Sequence, residues 1–255
     1  MPIRTNGQLP PLFCVHGEPM RLARELQTDC PVYALNYVYQ TGALDALPVS
    51  IEDLARRYIR EIQSVQSIGP YYFFGFSAGG TVAYEMARQL QRGGFKVAHV
   101  FLAEPMLSPR STLKEAQDSI GGMKKFGSIR TGIWQLGKLF AKVIKRRPRA
   151  AYYRARTLWH KITGTMPPPK IRWFNYLAHI RPAVYEYHYH EVGCRLELFY
   201  RPLNEQTVAD LKLLWTHLGA DGTVVHTIEG ASRHLDLMSE AALTEMARVI
   251  DRAYK

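Results

Sequence analysis

The chain has 255 residues, 47% of them hydrophobic and 22% charged, enough for one globular domain with a substantial core. No run approaches the roughly 18–20 uninterrupted apolar residues of a membrane span, and Met1-Pro2-Ile3-Arg4-Thr5-Asn6-Gly7 contains no apolar signal region. A soluble, cytoplasmic protein without stable membrane insertion is expected. Cys14, Cys30 and Cys194 form an odd, widely spaced set without a CxxC pair, which suggests neither a disulfide framework nor a zinc site. They are expected to be reduced, with Cys14 and Cys194 inside strands. The net charge of +11 is unevenly distributed: residues 110–185 hold seventeen Lys or Arg and two acids, Glu115 and Asp118, for +15, while the remainder nets −4. Such clustering points to a polyanionic partner.

In chain order, Leu12-Phe13-Cys14-Val15 and Pro31-Val32-Tyr33-Ala34-Leu35 have the length and composition of buried strands, with a helix between them over Pro19–Gln27. Ser50-Ile51-Glu52-Asp53 reads as a helix N-cap, after which Ile51, Leu54, Ala55, Tyr58, Ile62 and Val65 recur at helical spacing. Tyr71-Tyr72-Phe73-Phe74 is a further strand, followed by Gly75-Phe76-Ser77-Ala78-Gly79-Gly80, a helix to Arg92 and a strand over Val97–Ala103. This alternation implies a parallel sheet with helices on both faces. From Met106 to Arg181 it stops, and the segment reads as an inserted basic helical lid, with helices at Thr131–Lys145 and about Pro148–Lys161 and a Pro167-Pro168-Pro169 breaker before another. Strands resume at Arg195–Tyr200 and Thr223–Ile228. An amphipathic helix over Ser239–Ala253 closes the chain, with Leu243, Met246, Ala247 and Ile250 facing inward.

Gly75-Phe76-Ser77-Ala78-Gly79 matches the G-x-S-x-G elbow, in which a sharp strand-to-helix turn exposes a serine hydroxyl. The required strand and helix flank it, and the helix start aims free N–H groups and a positive dipole end at developing charge. Together these predict an α/β-hydrolase with Ser77 as nucleophile and Gly75 and Gly79 as elbow glycines. A serine needs a base, and in this fold the order is Ser, acid, His. Of nine histidines, His234 follows the last strand and precedes the final helix, where that base belongs. His226 falls within a strand, His217 in a helix, and His188 and His190 ahead of a strand. The acid belongs after a strand: Glu104 follows Val97–Ala103 directly and is favoured, Glu205 is the alternative and Asp210 a third. Oxyanion donors are expected from the N–H of Ala78 and from Gly17 or Glu18.

These segments resemble the thioesterase domains of nonribosomal peptide and polyketide synthases. The resemblance runs over Pro11–Gly17, Pro31–Leu35, Tyr72–Gly80 and the closing stretch from Glu229-Gly230 to His234-Leu235-Asp236-Leu237-Met238. It implies a Ser, acid, His triad, an acyl-enzyme and a mobile lid inserted after the strand that carries the acid. It supports Ser77, His234 and the position of Glu104, where release domains usually carry aspartate. Stand-alone editing thioesterases more often place the acid after the next strand, which keeps Glu205 open. The loop after His16 is shorter than the family's glycine-rich turn, reduced to Gly17-Glu18-Pro19.

The expectation is thus one α/β-hydrolase domain over residues 1–255, with a lid over 106–181, that acts as an acyl thioesterase by hydrolysis or by transfer to an acceptor. Its partner is expected to be an acyl or peptidyl carrier protein, or acyl-coenzyme A, docked on the basic lid by charge complementarity, with the acyl group carried on phosphopantetheine. No metal, redox cofactor or nucleic-acid partner is assigned. An oxygen-ester hydrolase and a non-catalytic carrier- or polyanion-binding module on the same scaffold are the alternatives.

Overall fold

The central apolar runs become strands because each is short, is bounded by Gly, Pro or polar turns, and buries both faces. A computed structural model describes residues 1–36, 50–107, 151–160, 162–219 and 222–255. The strands are β1 (Pro2–Arg4), β2 (Leu12–Val15), β3 (Val32–Leu35), β4 (Tyr71–Phe76), β5 (Val97–Ala103), β6 (Arg195–Tyr200) and β7 (Thr223–Thr227). They form one sheet in the order β1-β3-β2-β4-β5-β6-β7. Only β1 runs antiparallel to its neighbour; the pairs from β3 across to β7 are parallel.

The helices are α1 (Pro19–Glu25), α2 (Ile51–Gln63), α3 (Ala78–Arg92), α4 (Pro169–Glu186), α5 (Glu205–Leu218) and α6 (Glu240–Ala253). A 3₁₀ turn, His234–Met238, precedes α6. Leu12 and Cys14 of β2, Phe74 and Phe76 of β4, Phe101 of β5 and Phe199 of β6 share one sheet face, buried with Leu22 of α1 and Leu243, Met246 and Ile250 of α6. Alternate strand residues point to the other face, where α3 packs across β2, β4 and β5 and against α2. A fully buried Leu, Ile or Phe contributes roughly 1.5–3 kcal/mol, so this two-sided burial supplies the main stabilisation.

Several boundaries differ from expectation. Helix α1 stops at Glu25 because Leu26 turns extended, at φ −68° and ψ 123°. The Ser50 side chain caps α2 through Asp53 N–H, as expected, but the helix ends at Gln63. Val65, expected on its inner face, therefore lies past the helix and is 46% exposed. Cys14 lies in β2, whereas Cys194 sits one residue before β6, since pairing begins at Arg195. All three cysteines are buried.

A buried polar network ties chain-distant segments to α3. Tyr187 Oη donates to Glu85 Oε2 at 2.7 Å, and Arg88 and Gln89 also donate to that carboxylate. Tyr189 Oη and Thr81 Oγ1 both lie 3.0 Å from the Met106 carbonyl. The chain leaving β5 and the chain returning after α4 are thus both anchored on α3.

The chain divides into two compact units, one comprising Met1–Asn36, Pro48–Thr112 and Ile180–Lys255, the other Tyr37–Leu47 and Leu113–His179. Within the second, residues 151–160 are helical, matching the helix expected around Pro148–Lys161. Thr157 bonds Asn175 at 2.8 Å and Tyr153 stacks on Phe174 at 4.5 Å. The expected helix Thr131–Lys145 lies outside the described residues, as do residues 108–150 and 161 of the expected lid. Among the described residues, no helix is long and apolar enough to cross a membrane.

Candidate active site

Among the described residues, three other than glycine have positive φ: His16 at 62°, Ser77 at 55° and Glu104 at 39°. They directly follow the C-terminal ends of β2, β4 and β5, which are neighbours in the sheet. Such backbone costs on the order of 1–3 kcal/mol per residue and concentrates at functional sites. In open parallel α/β sheets this edge, beyond the strand C-termini, is where ligands bind.

Ser77 links β4 directly to α3 as the helix N-cap, with its hydroxyl not used in a cap bond. Its N–H bonds Ala103 O at 2.9 Å, and its carbonyl accepts from Gly80 and Met106 N–H. The elbow glycines are required by contact. A Cβ on Gly75 would fall 2.6 Å from Gly79 O, and one on Gly79 would fall 2.2 Å from Val15 O and 2.8 Å from His16 Nδ1. Ala78 opens α3, so its N–H is among the four that lack an intrahelical acceptor.

His234 opens the 3₁₀ turn, its ring stacked on Phe76 at 4.6 Å. The turn is fixed by Asp236, which accepts from Arg233 N–H at 2.8 Å and from Ser232 Oγ at 2.9 Å. Hydrogen bonds from the Arg233 side chain and backbone hold the Asp236 carboxyl down at about 2. His234 Nδ1 lies 2.6 Å from Glu104 Oε2. The other Glu104 oxygen, Oε1, accepts from Arg201 Nε at 3.0 Å and Arg201 N–H at 3.3 Å. Burial raises the Glu104 pKa, but the bonds from His234 and Arg201, with the guanidinium charge, outweigh it and leave the carboxyl below its ordinary value. The side chain is therefore an ionised acceptor at neutral pH.

Of the two leading acid candidates, the structure brings Glu104 to His234. Glu205 is the exposed first residue of α5, next to its N-cap Asn204, a position that complements the helix dipole. Asp210 lies further along α5, His217 near its end and His226 in β7. At the expected oxyanion loop, Gly17 has φ 77°, and a Cβ there would meet Met238 Sδ at 3.2 Å and Phe76 Cβ at 3.3 Å. Glu18 is the N-cap of α1, with Pro19 in its first turn. The Glu18 carboxylate pairs with Arg21 at 4.0 Å. His16 is 4% exposed, and burial pushes its pKa down to about 4, so the ring is neutral. Sequence reasoning missed Arg201 and the stacking role of Phe76. Arg201 could have been found by topology, because it follows β6 directly and β6 neighbours β5.

Among the described residues, no group of three His, Cys, Asp or Glu side chains is placed to hold a metal ion.

The mostly parallel sheet, the strand-to-helix serine turn and the histidine before the last helix define the α/β-hydrolase fold. Solved structures agree: the NocB thioesterase domain, in covalent complex with a fluorophosphonate nocardicin G analog, superposes with a TM-score of 0.63 at 22% identity, over 98% of this chain and 96% of that one. The RedJ thioesterase from the prodiginine pathway of Streptomyces coelicolor gives 0.58 at 17% identity, over 96% and 85%. The thioesterase domain family model matches residues 20–254, and the chain belongs to that family. The chain is 37% identical over 124 residues to a dimodular nonribosomal peptide synthase of Bacillus subtilis, covering 46% of this chain and 5% of that protein. It is 36% identical over 126 residues to malpinin synthetase of Mortierella alpina, covering 46% and 2%. The chain thus spans only a small part of the length of these relatives.

Proposed function

We propose that the protein is a serine thioesterase that releases an acyl or peptidyl group from a carrier protein or coenzyme A. His234 Nε2 takes the Ser77 hydroxyl proton as Oγ attacks the thioester carbonyl. Glu104 accepts from His234 Nδ1–H, fixing the tautomer and stabilising the imidazolium that forms. The Ala78 N–H, with Gly17 or Glu18 N–H as partner, receives the oxyanion. Collapse of the tetrahedral intermediate breaks the C–S bond, and His234 returns its proton to the leaving thiolate. Water or an acceptor nucleophile then releases the acyl group from Ser77, with His234 again as base. Phosphopantetheine enters as part of the substrate, and no metal or redox step is needed.

The observation that carries this reading is the 2.6 Å pairing of Glu104 with His234, at the sheet edge where Ser77 is held in its turn. The net +15 of residues 110–185 supports docking of an acidic carrier, or of phosphate-bearing coenzyme A, on that segment. A cytoplasmic location belongs to the same reading.

A fluorophosphonate probe tests the nucleophile: labelling of the wild type that is lost in Ser77→Ala and reduced in His234→Ala is expected. An unlabelled wild type would favour a non-catalytic binding module. For the partner, carrier affinity should fall steeply between low and high salt; affinity indifferent to salt contradicts electrostatic docking.

A further inference from the structure

The α6-facing side of the sheet changes character along its strands. Toward their C-terminal ends it is apolar, with Phe101, Ala103, Phe199 and Ile228 under α6. Beside that apolar patch, other residues of the same face are polar: His99 on β5, two before Phe101; Arg195 and Glu197 on β6, four and two before Phe199; and His226 on β7, paired with Phe199. They line a cavity of about 360 Å³ together with Val224 and with Val249, Arg252 and Ala253 from the last turns of α6. His99 and Glu104 are five residues apart on an extended chain, about 16 Å, so this cavity lies away from the Ser77 edge.

Its polar groups are ordered. Glu197 is 5% exposed, with Oε2 2.6 Å from His226 Nε2 and Oε1 accepting from Arg195 Nε at 3.1 Å. Burial raises the Glu197 pKa, but those partners reverse it, and the group stays a carboxylate whose charge is already matched. The His99 ring is held between Tyr72 at 5.9 Å and Phe101 at 5.6 Å, nearly parallel to both. Its Nδ1 is buried and has no hydrogen-bond partner. With Glu197 matched by His226 and Arg195, the Arg252 guanidinium leaves the cavity net positive.

We propose that this cavity is a second ligand site, built for a small oxyanion of the phosphate or carboxylate class. Arg195 and Arg252 supply charge and forked donors, the His99 ring lines the cavity, and the Glu197–His226 pair holds one wall. This site is independent of the thioester chemistry and does not rest on it.

The test is a titration of the full chain, labelled at histidine ring carbons, with inorganic phosphate and separately with succinate, at constant ionic strength maintained with chloride. Saturable displacement of the His99 and His226 ring signals by either oxyanion is expected, and which one acts distinguishes phosphate from carboxylate. Arg195→Gln with Arg252→Gln, both on exposed side chains, should weaken binding at least about tenfold while fluorophosphonate labelling of Ser77 is unchanged. No saturable displacement, or equal displacement in the double variant, overturns the proposal.

Discussion

Glu104 and Arg201 stand at the ends of adjacent strands, β5 and β6, and the arginine holds one carboxylate oxygen by backbone N–H and by guanidinium while the other oxygen meets His234. A glutamate has one more rotatable bond than an aspartate, and Arg201 removes that freedom. Arg201→Gln should therefore lower kcat more than it changes KM, with partial rescue by Arg201→Lys. The pH profile supplies the discriminating readout. Loss of the guanidinium raises the Glu104 pKa. This moves the acid limb of kcat/KM to higher pH, whereas a purely structural role would lower activity equally at every pH.

Glu104→Gln should reduce kcat by about two to four orders of magnitude, since an amide can hold the imidazole in the wrong tautomer. Glu205→Gln changes only a helix-start carboxylate and should cost under about 1 kcal/mol of stability, with turnover within about twofold. Steady-state kinetics on both variants decides between the acids; a larger loss at Glu205 reverses the assignment.

How far these residues were legible follows from the range over which each acts. Ser77 is marked by neighbours two residues away, and Glu104 and His234 by their place after strands, so local patterning alone put all three forward as candidates. The positive φ of Glu104 and its link to Arg201, 97 residues distant, depend on how β5 and β6 pair and leave no local trace. Val65 continues the apolar spacing of α2, but spacing carries no stop signal, and the helix ends two residues earlier. The basic segment was legible as charge, which composition reports, and not as structure.

Gly79→Ala should destabilise the fold by roughly 1–3 kcal/mol or more, because the new Cβ meets the Val15 carbonyl at 2.2 Å, and backbone cannot yield as a flexible side chain does. Gly193→Ala is the control: its Cβ approaches only Gln91 Nε2, at 3.8 Å, and should fall within about 0.5 kcal/mol of wild type. Chemical denaturation midpoints compare the two.

Glu85→Gln should cost about 3–5 kcal/mol, because Arg88, only 12% exposed, loses its charge partner. Burial raises the Glu85 pKa, and the bonds from Arg88, Gln89 and Tyr187 lower it further than that, so the folded value lies below the ordinary 4.5. A depressed acid stabilises the fold fully above its unfolded pKa, and that stabilisation is lost as pH falls through the folded value. Denaturation midpoints should therefore decline below about pH 4.5, and the decline should be smaller in Glu85→Gln.

The central claim is that Ser77 carries the acyl group. Rapid acid quench of the protein mixed with an acyl-loaded carrier, followed by intact mass and peptide mapping alongside thiol release, addresses it directly. The account predicts an acyl adduct on the peptide containing Ser77 and loss of both adduct and thiol release in Ser77→Ala. Undiminished thiol release by Ser77→Ala would contradict it.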